Sequence, residues 1–94
     1  MERNKVRDIL IQEHYPEFMI EQTLIKIEKF NPTIMNEFEV WVETQKSPKL
    51  TVEGYDFSCL INKYGMHPIG AFITLDWLTR DPQNAVNALK KGIR

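Results

Sequence analysis

The stretch DFSCLINKYGMHPIGAFITLDWLTRDP, residues 56–82, decides the fold class because residues that begin and end helices occur in it at short intervals. Asp56 is a residue type preferred at helix N-caps, where its side chain accepts a hydrogen bond from the first turn. Gly65 suits the left-handed position that follows the end of a helix. The pattern therefore predicts a short helix over Phe57–Tyr64.

Two more helices are predicted from Pro68 onward. Proline is favoured in the first turn of a helix, where its missing N–H donor costs nothing, so we expect a helix over Pro68–Thr79. Asp81 and Pro82 form an N-cap followed by a first-turn proline. They open a last helix, which we expect to end at Gly92.

The N-terminal half begins with two predicted helices. Asn4 is placed to cap a helix that ends near His14, and Pro16 is placed in the first turn of a helix over residues 16–29. Apolar residues recur at helical spacing and predict a buried stripe on each helix. The predicted stripes are Val6, Ile9 and Leu10 on the first helix, and Ile20, Leu24 and Ile27, widened by Phe18 and Ile25, on the second.

The segment that follows Asn31 has two interpretations. Asn31 and Pro32 repeat the N-cap and first-turn pair, which predicts a helix over residues 32–45 with Ile34, Phe38 and Trp41 on its buried side. Residues 37–43 also alternate between acidic and apolar side chains over their first four positions and are rich in residue types that favour strands, and residues 50–52 would then be the hairpin partner. We favour the helix because its start signal is explicit, and a short extended segment or hairpin within residues 37–53 stays open.

Length and composition indicate one ordinary globular domain. The chain has 94 residues, of which 43% are apolar and 27% charged. Together with the helix signals, this predicts a single all-α domain over residues 1–94, a compact bundle of five or six short helices. A signal peptide needs about 7 to 15 apolar residues in a row and a membrane span about 20, and the sequence contains neither. We therefore expect a cytoplasmic protein that does not cross a membrane.

No catalytic, metal or cofactor site is indicated. The chain has one cysteine and two histidines (Cys59, His14 and His67), fewer than the four ligands of a structural zinc site unless carboxylates join them. Cys59 and His67 flank a predicted turn, where a thiolate–imidazole pair is conceivable, but a free cysteine usually packs as a small apolar residue. We expect a core cysteine, no enzymatic activity, no metal and no cofactor.

The predicted helix Pro68–Thr79 is apolar on two sides. Such a helix is buried at the centre of a domain or lies partly in an interface, and both readings stay open. Its candidate partner-binding side consists of Ile69, Phe72, Ile73 and Trp77. Asp76 interrupts this side, and Arg80, four residues later, predicts a solvated ion pair at its rim.

Residues 56–79 also have the outline of a helix-turn-helix, which makes a DNA-binding regulator the alternative function. The net charge is −1 and the cations are scattered, whereas DNA-binding domains usually carry a basic patch. The residues expected to point outward from the second helix include none of the Arg, Lys, Asn or Gln that read base edges; they are His67, Ile69, Phe72, Ile73 and Asp76. Nucleic acid is therefore not the expected partner.

The C-terminal half resembles a pattern found in short uncharacterised bacterial proteins. In that group a Gly-Tyr turn, here Gly54-Tyr55, leads to a Gly-Ala-aromatic helix, here Gly70-Ala71-Phe72. A final helix started by proline then ends in Lys-Gly, as Pro82 and Lys91-Gly92 do here. The resemblance implies a helical fold and a bacterial origin, and it assigns no activity and no catalytic or binding residue.

These observations predict a small, non-enzymatic protein-interaction module of the bacterial cytoplasm. The expected partner is another protein or a second copy of the chain in a homodimer.

Overall fold

The computed structural model describes residues 2–92 and confirms the all-α class, with six helices among those residues. The chain divides into two compact units, one ending at Lys46 and the other beginning at Ser47. The first unit holds α1 Arg3–Gln12, α2 Glu17–Glu28 and α3 Pro32–Thr44; the second holds β1 Thr51–Val52, β2 Tyr55–Asp56, α4 Phe57–Asn62, α5 Pro68–Arg80 and α6 Pro82–Lys90. The single domain over residues 1–94 stays a prediction, and Met1, Ile93 and Arg94 lie outside the described residues.

Helix α1 begins one residue before the predicted cap. Its N-cap is Glu2, which makes no side-chain capping hydrogen bond, so Asn4 lies within the first turn and its predicted capping role is wrong. The backbone N–H of Val6 already donates to the Glu2 carbonyl at 3.2 Å, which closes the first turn ahead of Asn4. The helix ends before His14, which takes a left-handed backbone conformation with φ of 65°. Histidine is among the non-glycine residues more often found there.

Helix α2 buries one stripe, formed by Ile20, Leu24 and Ile27 as predicted, together with Thr23. Phe18 and Ile25 do not widen this stripe; both are exposed, and that prediction is wrong. At about 100° per residue these two positions lie nearly opposite the centre of the stripe.

Helix α3 settles the choice between helix and strand for residues 37–43. The Asn31 side chain accepts a hydrogen bond from the Ile34 N–H at 2.9 Å, and Pro32 takes the first helical position. The strand interpretation is therefore wrong, because this start commits the following residues to helical hydrogen bonding. The predicted buried side of α3 is confirmed, as Ile34, Phe38 and Trp41 are all buried.

The second unit opens with a short hairpin. Val52 pairs with Tyr55 across a two-residue turn in which Glu53 and Gly54 both have positive φ, 52° and 81°. Turns of this type match the twist of paired strands, and glycine adopts the required φ without strain. The extended segment predicted near residues 50–52 is confirmed, but its partner follows it in the chain and does not come from residues 37–43.

Helix α4 begins as predicted, since the Asp56 carboxylate accepts a hydrogen bond from the Cys59 N–H at 2.7 Å. Gly65 has the expected left-handed φ of 70°. The helix ends at Asn62, two residues before the predicted Tyr64. The rings of Phe57 and Phe72 lie 5.0 Å apart and join α4 to α5.

Helices α5 and α6 both start on the predicted prolines, Pro68 and Pro82. Helix α6 packs on α5 through its buried Ala85 and Leu89. The Asp81 side chain makes no hydrogen bond to the helix backbone and accepts one from the Asn84 side chain at 2.8 Å. Helix α6 ends at Lys90, and Gly92 takes a left-handed conformation just beyond it.

The stripe of α2 predicts a sharp contrast between two substitutions in one helix. Leu24→Ala should lower the free energy of unfolding by about 2–5 kcal/mol, because it removes buried methyl groups and leaves a cavity. Phe18→Ala, the matched control, should change it by about 0.5 kcal/mol or less, since that ring is exposed. Urea unfolding followed by circular dichroism measures both. Equal losses would contradict the orientation of α2.

Candidate functional site

The predicted partner-binding side of α5 is only partly accessible. Ile69 and Phe72 are completely buried, and the Phe72 ring packs against Phe57. These two side chains pack in the core of the second unit. Contrary to the prediction, they are therefore not accessible to a partner. Ile73 and Trp77 are half-buried and keep some surface. A binding role for Ile73 and Trp77 stays a prediction.

The ion pair predicted at the rim of this side is present. Arg80 Nε lies 2.8 Å from Asp76 Oδ2. The pair is not fully solvated as expected, because the Asp76 side chain is only 12% exposed while that of Arg80 is 50% exposed. A buried carboxylate is tolerated when a cation and hydrogen bonds compensate for lost water. Asp76 is therefore a structural acid that holds the last turn of α5.

Replacing the mostly buried Asp76 by alanine should lower the free energy of unfolding more than replacing an exposed acidic residue. Asp76→Ala should lower the free energy of unfolding by about 1–3 kcal/mol, because it leaves polar partners of a mostly buried carboxylate unmatched. Glu43→Ala removes an exposed pair with Lys5, 2.9 Å between Nζ and Oε2, and should cost about 0.5 kcal/mol or less. Thermal and urea unfolding measure both changes. A free energy of unfolding equal to that of the parent protein in both variants would contradict the structural role of Asp76.

The helix-turn-helix outline is present, but its second helix is poorly placed to read DNA. The prediction that Ile69, Phe72 and Asp76 point outward is wrong, since all three are buried. His67, at the N-terminal end of α5, is exposed, but its side chain makes no capping bond. Within α5, the sole Lys or Arg is Arg80, at the far end and engaged by Asp76. The accessible side of α5 thus offers little to phosphate or to base edges.

The cysteine and the second histidine, Cys59 and His67, both lie in the second unit. Cys59 is half-buried, which is less buried than the expected core position, and its backbone N–H is bonded to Asp56. Among residues 2–92, no group of three His, Cys, Asp or Glu side chains is arranged to hold a metal ion. None of the helices in the same range has both the length and the apolar character needed to cross a bilayer.

Two tyrosines have raised pKa values, and neither points to catalysis. A hydrogen bond with the Tyr55 side chain, ahead of burial, raises the pKa of Tyr64. Burial, followed by the negative charge of Glu13, raises the pKa of Tyr15. Both hydroxyls therefore stay protonated at neutral pH, whereas a tyrosine acting as a base needs a lowered pKa.

A groove in the first unit is too small for a typical ligand. Its volume is about 140 Å³, and an apolar floor meets an acidic rim; it is lined by Glu2, Val6, Phe38, Glu39, Val42 and Glu43. Pockets that enclose drug-sized ligands are usually about 300–1,000 Å³. We assign no ligand to this groove.

Among residues 2–92, the large apolar side chain with the greatest exposure is Phe18 on α2, and Ile25 on the same helix is also exposed. Phe18 is 75% exposed and Ile25 is 49% exposed. They are about two helical turns apart and so lie along one line, with the exposed Gln22 between them. We call Phe18, Gln22 and Ile25 the α2 outer face.

One flank of the α2 outer face is acidic and is tied to α1. Arg3 Nη2 lies 2.7 Å from Glu21 Oε2, and Arg3 also pairs with Glu28. Arg7 Nη2 lies 2.9 Å from Glu17 Oε1, and Arg7 Nη1 lies 3.1 Å from Glu21 Oε1. With three glutamates and two arginines, this acidic flank keeps one unbalanced negative charge.

The other flank is basic. It carries Lys26, which is exposed and forms no ion pair with any residue in the range 2–92, and the partly exposed Met19. The α2 outer face therefore has apolar anchors along its middle and opposite charges along its two edges. Apolar anchors with a polar rim are typical of protein-binding surfaces.

Phe18 and Ile25 are predicted to widen the buried stripe, but their spacing indicates a different side of the helix. Two residues seven apart share one line of a helix. The line through Phe18 and Ile25 runs opposite the line through Ile20, Leu24 and Ile27. Both lines carry apolar side chains, but only the line with three of them is buried.

Comparison of the chain with protein-family models, with curated proteins and with solved structures finds no match. The resemblance to short bacterial proteins therefore stays a prediction.

Proposed function

We propose that this chain is a non-enzymatic protein-interaction module of the bacterial cytoplasm, and that it binds another protein chain through the α2 outer face. The observation that supports this most directly is the exposure of Phe18 and Ile25 on one line of one helix. Apolar anchors that share one side of a helix and are edged by charge are typical of binding surfaces, whereas single exposed apolar residues are ordinary.

The chemistry of the face favours a protein as the occupant. An aromatic and a branched aliphatic anchor two turns apart match the spacing by which helices dock into apolar surfaces. Glutamates on one edge would repel phosphate, which argues against nucleic acid at this surface. Ile73 and Trp77 on α5 are a second, smaller candidate contact.

Site-specific photo-crosslinking in the native host tests this proposal. A photoreactive amino acid at Gln22 should yield a discrete protein adduct, and the same amino acid at Gln83, an exposed glutamine on α6, should not. Phe18→Asp should abolish the adduct while leaving the circular dichroism spectrum unchanged, because the ring is exposed and an acidic residue is favourable in the first turn of a helix.

An absence of any adduct from position 22, with the photoreactive chain expressed and folded, would overturn the proposal. An adduct that survives Phe18→Asp would move the binding surface away from the α2 outer face.

The second candidate function is a DNA-binding regulator, favoured only by the α4–turn–α5 outline. We expect no affinity for duplex DNA at ~50 mM salt, because accessible cations are scarce on α5. Fluorescence anisotropy with a mixed-sequence duplex measures this directly. Tight binding that weakens steeply as salt rises would instead support the regulator.

A further inference from the structure

We infer that the protein chain bound at the α2 outer face is a second copy of this chain, with the two α2 helices packed in parallel. This inference rests on the proposed function and names its partner. It follows from how the charges along the two edges of the face can be matched.

A helix can pack against its own copy about a two-fold axis in two ways. An axis perpendicular to the plane of the two helices makes them antiparallel and sets each flank against the same flank of the partner. An axis parallel to the helices makes them parallel and sets each flank against the opposite flank. The first arrangement joins like edges, and the second joins unlike edges.

The charges on α2 favour the parallel arrangement. An antiparallel pair would set Lys26 and its flank against an identical basic flank, and the glutamates against glutamates. A parallel pair with Phe18 and Ile25 at the d positions of a heptad places Glu21 at g and Lys26 at e. Side chains at g and e of parallel helices reach each other across the seam, so each Glu21 meets the Lys26 of the second copy.

Glu21 can accept this extra partner. Its side chain is 61% exposed although it already accepts hydrogen bonds from Arg3 and Arg7. An ionised carboxylate has about four acceptor sites, so two arginine contacts leave room for an ammonium. The acidic flank keeps one unbalanced negative charge, and Lys26, which forms no ion pair with any residue in the range 2–92, provides the positive charge to meet it.

Along the seam each anchor meets its own counterpart. Phe18 and Ile25 pack on the same residues of the second copy, and Gln22 between them faces another amide, which can both donate and accept a hydrogen bond. Lys29 follows the last helical residue as the C-cap, so its long side chain can reach solvent.

The dimer should be weak. One helix of twelve residues provides less contact than the roughly 1,200 Å² at the lower end of stable interfaces. We therefore expect self-association in the range of ~10 μM to ~1 mM, where the fraction of dimer varies with concentration.

Sedimentation equilibrium of charge variants tests the arrangement. Lys26→Glu and Glu21→Lys should each weaken dimerisation about tenfold or more, because each turns two attractive contacts into repulsive ones. An equal mixture of the two variants should restore a heterodimer, and the double variant should restore the homodimer. Lys49→Glu, an exposed substitution outside α2 with the same change of charge as Lys26→Glu, should leave dimerisation unchanged.

A cysteine crosslink tests the direction of the helices. In a Cys59→Ala background, Lys29→Cys should form an intermolecular disulfide, since equivalent residues meet across a parallel seam. In an antiparallel pair centred on Gln22, the two positions would be about 20 Å apart, too far for a disulfide. A dimer that forms but resists this crosslink would overturn the parallel arrangement.

The outcomes separate this inference from the proposed function. A chain that is monomeric at ~1 mM but forms a Phe18-dependent adduct with a different protein from position 22 would overturn the dimer and leave the interaction module standing. A monomer with no adduct would overturn both. A dimer whose dissociation constant is unchanged in the charge variants would show that the contact between the two copies lies elsewhere on the chain.

Discussion

A helix that packs on one side can bury only one of its faces, and in α2 that face belongs to Ile20, Leu24 and Ile27. The period of about 3.6 residues then sends Phe18 and Ile25 to the solvent side, whatever their hydrophobicity. Burying them as well would require a second layer of protein, which the described chain does not supply. The exposed apolar line on α2 is thus a direct consequence of how the first unit forms its core.

Helix α5 shows the converse situation. It is also apolar on two sides, yet Ile69, Phe72, Leu75 and Leu78 are all buried. Its prominence in the sequence therefore reflects the core of the second unit more than a binding surface. Two helices with similar apolar content differ in role because their surroundings differ, and neither sequence nor hydrophobicity alone separates them.

The sequence predicted the features that depend on local hydrogen bonding. Asn31 and Asp56 cap helices as expected, Gly65 takes the left-handed position, and Pro32, Pro68 and Pro82 stand at helix starts. A cap or a turn is determined within a few residues, so its signal is present in the local sequence.

The features that sequence reasoning missed depend on the rest of the chain. The exposure of Phe18 and the burial of Asp76 are set by which residues of other segments cover each helix face. The partner of the short strand near residue 51 depends on a tight turn at Glu53 and Gly54, one residue before the predicted Gly54-Tyr55 turn and between two strands of two residues each. Hydrophobicity alone therefore favours α5 as the candidate surface, because the sequence of α5 is apolar on two sides.

The claim that α2 carries an interaction surface is tested most directly by a dilution series of amide NMR spectra between ~1 mM and ~10 μM. We expect concentration-dependent chemical-shift changes concentrated in residues 17–29, with the rest of the first unit and all of the second nearly unchanged. Shifts that are absent, or that are confined to α5, would contradict it.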